Sequence, residues 1–290
     1  MKIRDILQNK DRIFSFEFFP PKTETGEKNL FAAIEELKAL SPDFVSVTYG
    51  ALGNTQEKSL DIIRRIHEEI GLEVMAHYTC IGATQEKVNS FLAEVKEIGL
   101  DNILALRGDA PLGTDIADAL RASSFKYACD LVDFIKTGGH DFSIGVAGYP
   151  EGHPESPSFQ DDLDFLRQKI DAGADFIITQ LFFDNEDFYR FRDRLEHLGI
   201  HVPVIPGIMP IQNFKQIQKM TSLCGTHIPQ ELRSIFTDEG KSDEDKKKYG
   251  LDFTTKQCRD LLENGARGLH FYSLNRSSAT KEIFTRLSAG

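Results

Sequence analysis

The chain has 290 residues, 40% hydrophobic and 27% charged, the balance of a globular protein with enough apolar material for a sizeable core. Its 34 basic against 45 acidic residues give a net charge of -11, which repels nucleic acid at long range but leaves room for a small anionic ligand held by a local basic patch. No apolar run is long enough to span a bilayer, Asp5, Lys10, Asp11 and Arg12 interrupt any secretory leader, and four scattered cysteines point to reduced thiols in the cytoplasm.

In chain order, short apolar runs at residues 13–19, 44–49, 74–79, 102–106, 142–147, 176–182, 202–205 and 268–274 read as buried strands. The segments between them carry helical spacing: Leu30, Ala33, Ile34 and Leu37 follow i, i+3, i+4, i+7, and so do Val88, Phe91, Leu92 and Val95. Gly71, Gly99, Gly173, Gly199 and Gly265 each stand where a helix should stop, just before the next apolar run. The stretches EIGLDNILALRGD, DAGADFIITQLFFD and ENGARGLHFYSLNR repeat one layout of helix end, glycine, strand and polar tip. Strands alternating with helices eight times predict an α/β fold, a parallel (β/α)8 TIM barrel. An open doubly wound sheet would need fewer units. An extra helical insertion follows the seventh strand, and its charge-rich part, residues 237–249, reads as solvated surface. With no linker in sight, residues 1–290 read as a single barrel domain.

A barrel of this kind works at the C-terminal ends of its strands, where the loops enclose one cavity. In FSFEFFPPK, Phe14, Phe16 and Phe18 share one face of the first strand while Ser15 and Glu17 share the other. If the phenyl groups face the helices, Glu17 points into the barrel near its mouth, where a carboxylate is costly unless it is paired or used. His77 and Thr79 share a face of the third strand, although such a histidine more often serves an internal hydrogen bond than catalysis. Arg107, Gly108 and Asp109 end the fourth strand, Gln180 the sixth, and Tyr272, Asn275 and Arg276 the eighth. An arginine there suits a phosphate or carboxylate, and an amide suits a heterocycle, yet each also has a plain structural reading as a surface pair or internal bond. Glycine-rich nucleotide loops, H-E-x-x-H, G-x-S-x-G and close pairs of metal-ligating histidines are all missing from the sequence, so no metal is expected.

The motifs FSFEFFPPK, FVSVTYGA, AHYTC, LRGD, YPEGHP, ITQLFFD, IPGIMPIQNFKQ and HFYSLNR, in this order and over nearly the whole chain, resemble the bacterial methylenetetrahydrofolate reductases. The resemblance implies a barrel with non-covalent FAD that uses NADH, or NADPH, to reduce 5,10-methylenetetrahydrofolate to 5-methyltetrahydrofolate in a ping-pong reaction through the flavin. It also implies a homo-oligomer in the cytoplasm, with folate and a nicotinamide nucleotide as partners and no regulatory extension. Glu17 matches the family's general acid, which must hold a proton near neutrality, and burial among phenylalanines would favour that form. Asp109 matches an aspartate beside the flavin ring. Tyr49, His77, Arg107, Gly108, Ala128, Tyr149, His153, Asp162 and Lys169 fall on FAD-binding positions, with Arg107 and Lys169 supplying charge for the pyrophosphate. Thr48 and Gln180 match contacts to nicotinamide or folate, and Gln216 and Arg276 match contacts to folate, Arg276 to its glutamate tail. Three positions depart from the family pattern. Phe165 and Gln168 replace an asparagine and an arginine that approach FAD, and Met220 replaces a phenylalanine that stacks on the ligand. Two other readings compete: a barrel flavoenzyme of proline-dehydrogenase type, which has no need of Gln180, Gln216 and Arg276, and a non-catalytic barrel binding protein.

Overall fold

The computed structural model describes residues 1–49, 54–109 and 113–288. The first part of the chain runs α1 (Ile3–Asn9), β1 (Ile13–Phe18), α2 (Glu24–Lys38), β2 (Phe44–Val47), α3 (Asn54–Arg65, continued by a π-helical turn Ile66–Ile70), β3 (Val74–Thr79), α4 (Gln85–Glu97) and β4 (Asn102–Leu106). Then come α5 (Ile116–Ala122), α6 (Ala128–Thr137), β5 (Ser143–Gly148), α7 (Phe159–Asp171), β6 (Phe176–Thr179) and α8 (Asn185–His197). The remainder is β7 (Val204–Ile205), β8 (Gly207–Ile208), α9 (Phe214–Cys224), α10 (Gln230–Thr237), α11 (Asp243–Glu263), β9 (Gly268–Tyr272) and α12 (Ser278–Ser288).

The described strands form one parallel sheet in the order β7-β6-β5-β4-β3-β2-β1-β9-β8. β7 and β8 are two halves of one stave. Pro206 stands between them and has no N–H for a ladder, so Val204–Ile205 pairs with β6 while Gly207–Ile208 pairs with β9. The chain itself therefore joins the two edges of the sheet, and eight staves close as a (β/α)8 barrel. The seventh stave starts two residues later than its apolar run suggests and continues beyond the proline. Residues 48–49, 180–182 and 273–274, expected to extend their strands, lie in the loops instead.

Strand alternation sorts the side chains as the pattern of β1 predicts. Phe16 and Phe18 are fully buried in the shell between strands and helices, and Phe14 meets Phe284 of α12 edge-on at 4.9 Å. The helices turn their spaced apolar residues to that shell: Leu30, Ala33, Ile34 and Leu37 on α2, Val88, Phe91, Leu92 and Val95 on α4. The five glycines at helix ends all have positive φ. Inside the barrel a separate cluster of Ile13, Phe44, Met75, Leu104, Phe176, Ile178 and Ile205 fills the lower layers.

The sequence pattern did not anticipate α1. Its Ile3, Ile6 and Leu7 join the interior cluster and plug the N-terminal end of the barrel. The plug is pinned by the Ile3 N–H donating to Asn102 Oδ1 at 2.7 Å and the Arg4 N–H to Ser143 Oγ at 3.0 Å. With that end closed and packed, the opposite mouth is left for ligands. Over that mouth, α9 and α10 build a third apolar cluster from Leu181, Phe183, Met209, Ile211, Ile217, Ile228, Leu232 and Phe236. The charge-rich segment 237–249 is largely exposed, as its composition suggests, and from Asp243 it is the start of α11, capped by the Ser242 hydroxyl accepting from the Asp245 N–H at 3.1 Å. No described helix is long and apolar enough to cross a membrane.

Candidate active site

The centre of the barrel mouth is Glu17. β1 pairs with β9 so that Glu17 lies opposite Tyr272 and Ser15 opposite His270. Two buried imidazoles face the carboxyl: His77 Nε2 and His270 Nε2 each lie 3.6 Å from Glu17 Oε2. Neither nitrogen has a hydrogen-bond partner, although both are buried. The carboxyl's neighbours are thus two imidazoles, whereas the phenylalanines of β1 point the other way; its surroundings are more polar than burial among phenyl groups would make them. Burial lowers the pKa of His77 to about 4, against the opposing pull of Glu17, so this ring is neutral at physiological pH. His270 is oriented by a 2.7 Å hydrogen bond between its Nδ1 and Ser15 Oγ, and either tautomer presents Nε2 to Glu17.

The loops hold this strand tip firmly. Ser273 Oγ donates to the Glu17 carbonyl at 2.5 Å. Asn275 clamps the next residues, its Oδ1 accepting from the Phe19 N–H at 3.0 Å and its Nδ2 donating to the Phe19 carbonyl at 2.8 Å. Leu274 and Asn275 sit at φ 52° and 57°. A left-handed conformation costs an ordinary residue about 1–2 kcal/mol, so two in succession mark a turn that the surroundings impose. Tyr272, beside Glu17, reaches across the interrupted seventh stave and donates to the Thr179 carbonyl at 2.5 Å. It seals the gap that Pro206 opens.

A second group gathers at the tips of β4 and β5. Arg107 pairs with Glu155 at 2.7 Å, so the cation expected to meet a phosphate is engaged by an acid that the sequence reading did not single out. Tyr149 and His153 pack edge-on at 4.6 Å, and Asp162 accepts from Ser156 Oγ at 3.3 Å. Burial raises the pKa of Asp162 and lowers that of His153, the latter helped by Arg107. Lys169 Nζ donates to the Ala147 carbonyl at 2.7 Å. Desolvation, only partly offset by Asp162, lowers its pKa from the ordinary 10.5 to about 8. Ala128 is buried at the start of α6. Gly108 has φ 82° and lies so close to β3 that a Cβ would stand 2.6 Å from Thr79 Cβ. Asp109 is exposed at the β4 tip, and the three residues after Ala110's predecessor in the loop, 110–112, lie outside the described residues.

Other expected residues stand apart. Tyr49 follows β2 on its outer face, packed in a cluster with Tyr78 (tilted, 4.8 Å) and Phe91 (edge-on, 5.4 Å). Its ring is therefore directed toward α4, away from the interior face that carries Glu17. Thr48, on the opposite face, accepts from the Ser59 hydroxyl through its carbonyl at 3.4 Å. Gly50 and Ala51 of the FVSVTYGA motif lie outside the described residues. Gln180 Oε1 accepts from the Leu181 N–H at 2.8 Å, which fixes the amide at the β6 tip. Gln216 lies in the first turn of α9. Arg276 is exposed and lines a pocket of about 300 Å³ with Asn29, Gln212 and Ser277. Of the departures, Phe165 stacks on Tyr127 at 5.3 Å, Gln168 lies 4.0 Å from Cys129 Sγ, and Met220 packs against the α9–α10 cluster.

The sequence reading missed His270, Glu155 and Glu151. His270 lay within the HFYSLNR motif on the same face as Tyr272, and alternation alone could have placed it inside. Glu151 follows the β5 tip and accepts from the His227 N–H at 2.8 Å, while its other oxygen is buried without a partner. Burial, with Asp187 and Asp184 nearby, raises its pKa to about 7.

Lys169 gives a direct test of this second group. Its folded pKa lies below the unfolded value, so the folded chain binds fewer protons between about pH 8 and 10.5, and stability is gained as pH rises through that window. Thermal melts of the cofactor-free protein should show this gain in the wild type and not in Lys169→Met. Parallel curves would place the ammonium in water. An anion bound at Lys169 would hold the proton, so its affinity should fall above about pH 8.

A packed, plugged barrel with one acid between two imidazoles at its mouth, and a cationic group beside it, defines a (β/α)8 enzyme-like site for a polar, partly anionic ligand. Residues 2–288 match the family model of methylenetetrahydrofolate reductase. The chain belongs to the methylenetetrahydrofolate reductase family. It is 42% identical to the 5,10-methylenetetrahydrofolate reductase of Pectobacterium carotovorum over 93% of this chain and 88% of that one. It is 41% identical to methylenetetrahydrofolate reductase (NADH) 1 of Arabidopsis thaliana over 99% of this chain, which spans about half (50%) of that relative's length. An uncharacterised protein from Clostridium thermocellum that binds two copies of 5-methyl-5,6,7,8-tetrahydrofolic acid has a similar structure, with a TM-score of 0.70 over 100% of this chain and 98% of that one. At 17% identity this likeness concerns the fold.

Proposed function

We propose that this chain, acting as a single barrel domain, reduces 5,10-methylenetetrahydrofolate to 5-methyltetrahydrofolate with FAD as cofactor, NADH as reductant and Glu17 as general acid. The observation that carries the reading is Glu17 itself: a carboxyl on the interior face of β1, at the mouth of a barrel plugged at its other end, with His77 and His270 at 3.6 Å.

The residues present fit a flavin nucleotide. His77 offers a buried ring nitrogen without a partner, and Lys169 is a desolvated cation whose hydrogen bond goes to a carbonyl. His77, Gly108, Ala128, Tyr149, His153, Asp162 and Lys169 would hold it, with Arg107 joining once released from Glu155 and Asp109 near the ring. Tyr49 would contribute little through its ring, which packs against Tyr78 and Phe91. FAD, when bound, supplies two-electron transfer between the nicotinamide and the folate.

The protein's own work is acid catalysis and placement. The five-membered ring of the substrate opens to an electrophilic iminium only when the departing nitrogen is protonated, and Glu17 would give that proton. His270, oriented by Ser15, and neutral His77 would flank the carboxyl, each at 3.6 Å. Thr48, Gln180 and Gln216 would orient the ring systems through their polar side chains, and Arg276 would hold the glutamate tail in its pocket.

The reading is tested by supplying the purified protein with FAD, NADH and methylenetetrahydrofolate and separating the products by chromatography. Stoichiometric 5-methyltetrahydrofolate and NAD are expected; NADH oxidation without a methylated folate would refute the assignment. Arg276→Ala should raise the folate KM about ten-fold or more, the loss of a charge-assisted pair, while affecting NADH oxidation by an artificial acceptor less. An unchanged folate KM would mean that the tail is held elsewhere.

A further inference from the structure

Among the described residues Phe19 is one of the few large apolar side chains left exposed, at 42%. It lies immediately after β1, two residues beyond Glu17, so that an alternation continued past the strand end would put it on the side of Glu17, whereas Phe16 and Phe18 are fully buried on the helix side. Two residues of extended chain place it about 7 Å farther out than Glu17. Its backbone is unusually constrained for a loop residue. Both polar groups are taken by Asn275, at 3.0 and 2.8 Å, and Pro20 and Pro21 follow, each with a fixed φ. Asn275 reaches it from a turn in which two successive non-glycine residues have positive φ.

The order of groups outward from the site matches the order of groups in the proposed substrate. Glu17 is the proposed proton donor, Phe19 is the next residue of the same alternation, and Arg276 follows directly on the residue that clamps Phe19. In methylenetetrahydrofolate the nitrogen that departs when the bridging ring opens carries the aminobenzoyl ring, and that ring carries the glutamate. An acid, an aromatic face and a guanidinium therefore meet a nitrogen, an aromatic ring and a carboxylate in the same sequence. We propose that Phe19 is a substrate-binding residue that packs against the aminobenzoyl ring of the folate, with Asn275 as the positioning residue that holds it there. The inference rests on the folate reading above and adds the contact that would align the departing nitrogen with Glu17.

The test is calorimetric binding to the FAD-loaded protein with two probes: 5-methyltetrahydrofolate, and a 5-methyltetrahydropterin that lacks the aminobenzoylglutamate. Phe19→Ala should weaken the folate about three- to ten-fold, the range of an aromatic pair, and leave the truncated pterin unaffected. Phe19→Tyr, which keeps the ring, should bind the folate as the wild type does, and Phe19→Leu should fall between. FAD content and melting temperature report folding in each variant. Equal weakening of both probes, unchanged folate binding by Phe19→Ala, or full binding by Phe19→Leu would overturn the proposal. A wild type that fails to bind 5-methyltetrahydrofolate at all would instead remove the folate reading on which it rests.

Discussion

Glu17→Gln is expected to keep FAD and to oxidise NADH with an artificial acceptor, but to lose folate reduction by about 10²- to 10⁴-fold, the usual worth of a positioned general acid. The amide is nearly isosteric with the carboxyl, so the spacing to His77 Nε2 and His270 Nε2 should survive. What it cannot do is release a proton to the departing nitrogen. The separation of the two activities is the informative part, since a misfolded variant would lose both. Near-normal folate turnover would take the acid's role from Glu17 and pass it to a neighbour, with His270 the first to examine.

Gly268→Ala should be the most damaging single methyl addition for stability, costing about 3 kcal/mol or more. Gly268 opens β9 at φ 141°, a conformation closed to alanine, and a Cβ there would stand 1.9 Å from the Ile13 carbonyl oxygen. The clash falls on the β1–β9 seam, whose register sets Ser15 opposite His270 and Glu17 opposite Tyr272. The expected result is a sharply lowered melting temperature with loss of FAD from whatever remains folded. A variant that melts within a few degrees of the wild type would show that the seam can open without affecting the mouth of the barrel.

The barrel was legible because its signals are local and repeat. Apolar runs, helical spacing on α2 and α4 and glycines at helix ends recur in each unit, and a repeated pattern survives errors at any one of its members. The seventh stave was half visible, since Pro206 reads as a strand end and only the closed sheet reveals that pairing resumes at Gly207. The α1 plug was hidden because seven residues with three apolar positions look like any polar terminus.

The site was less legible than the fold, for a physical reason. Alternation put Glu17 on the interior face, but the two imidazoles facing it come from β3 and β9, distant in sequence, and their convergence depends on the register of a closed sheet. The same limit applies to Arg107, whose engagement by Glu155 depends on how the loop after β5 folds back over β4. Tyr49 shows the opposite case: its position matched a family pattern, while its ring follows the packing of Tyr78 and Phe91. Family resemblance placed residues on the chain, and packing decided where their side chains went.

The central claim is that one barrel mouth carries two successive half-reactions, with Glu17 needed for the second. An anaerobic absorbance titration of the FAD-loaded protein tests it most directly. Adding NADH should bleach the flavin, and adding methylenetetrahydrofolate should restore its colour; in Glu17→Gln the bleaching should persist. A flavin that NADH bleaches but the folate cannot restore in the wild type, or one restored equally well in Glu17→Gln, would contradict the account.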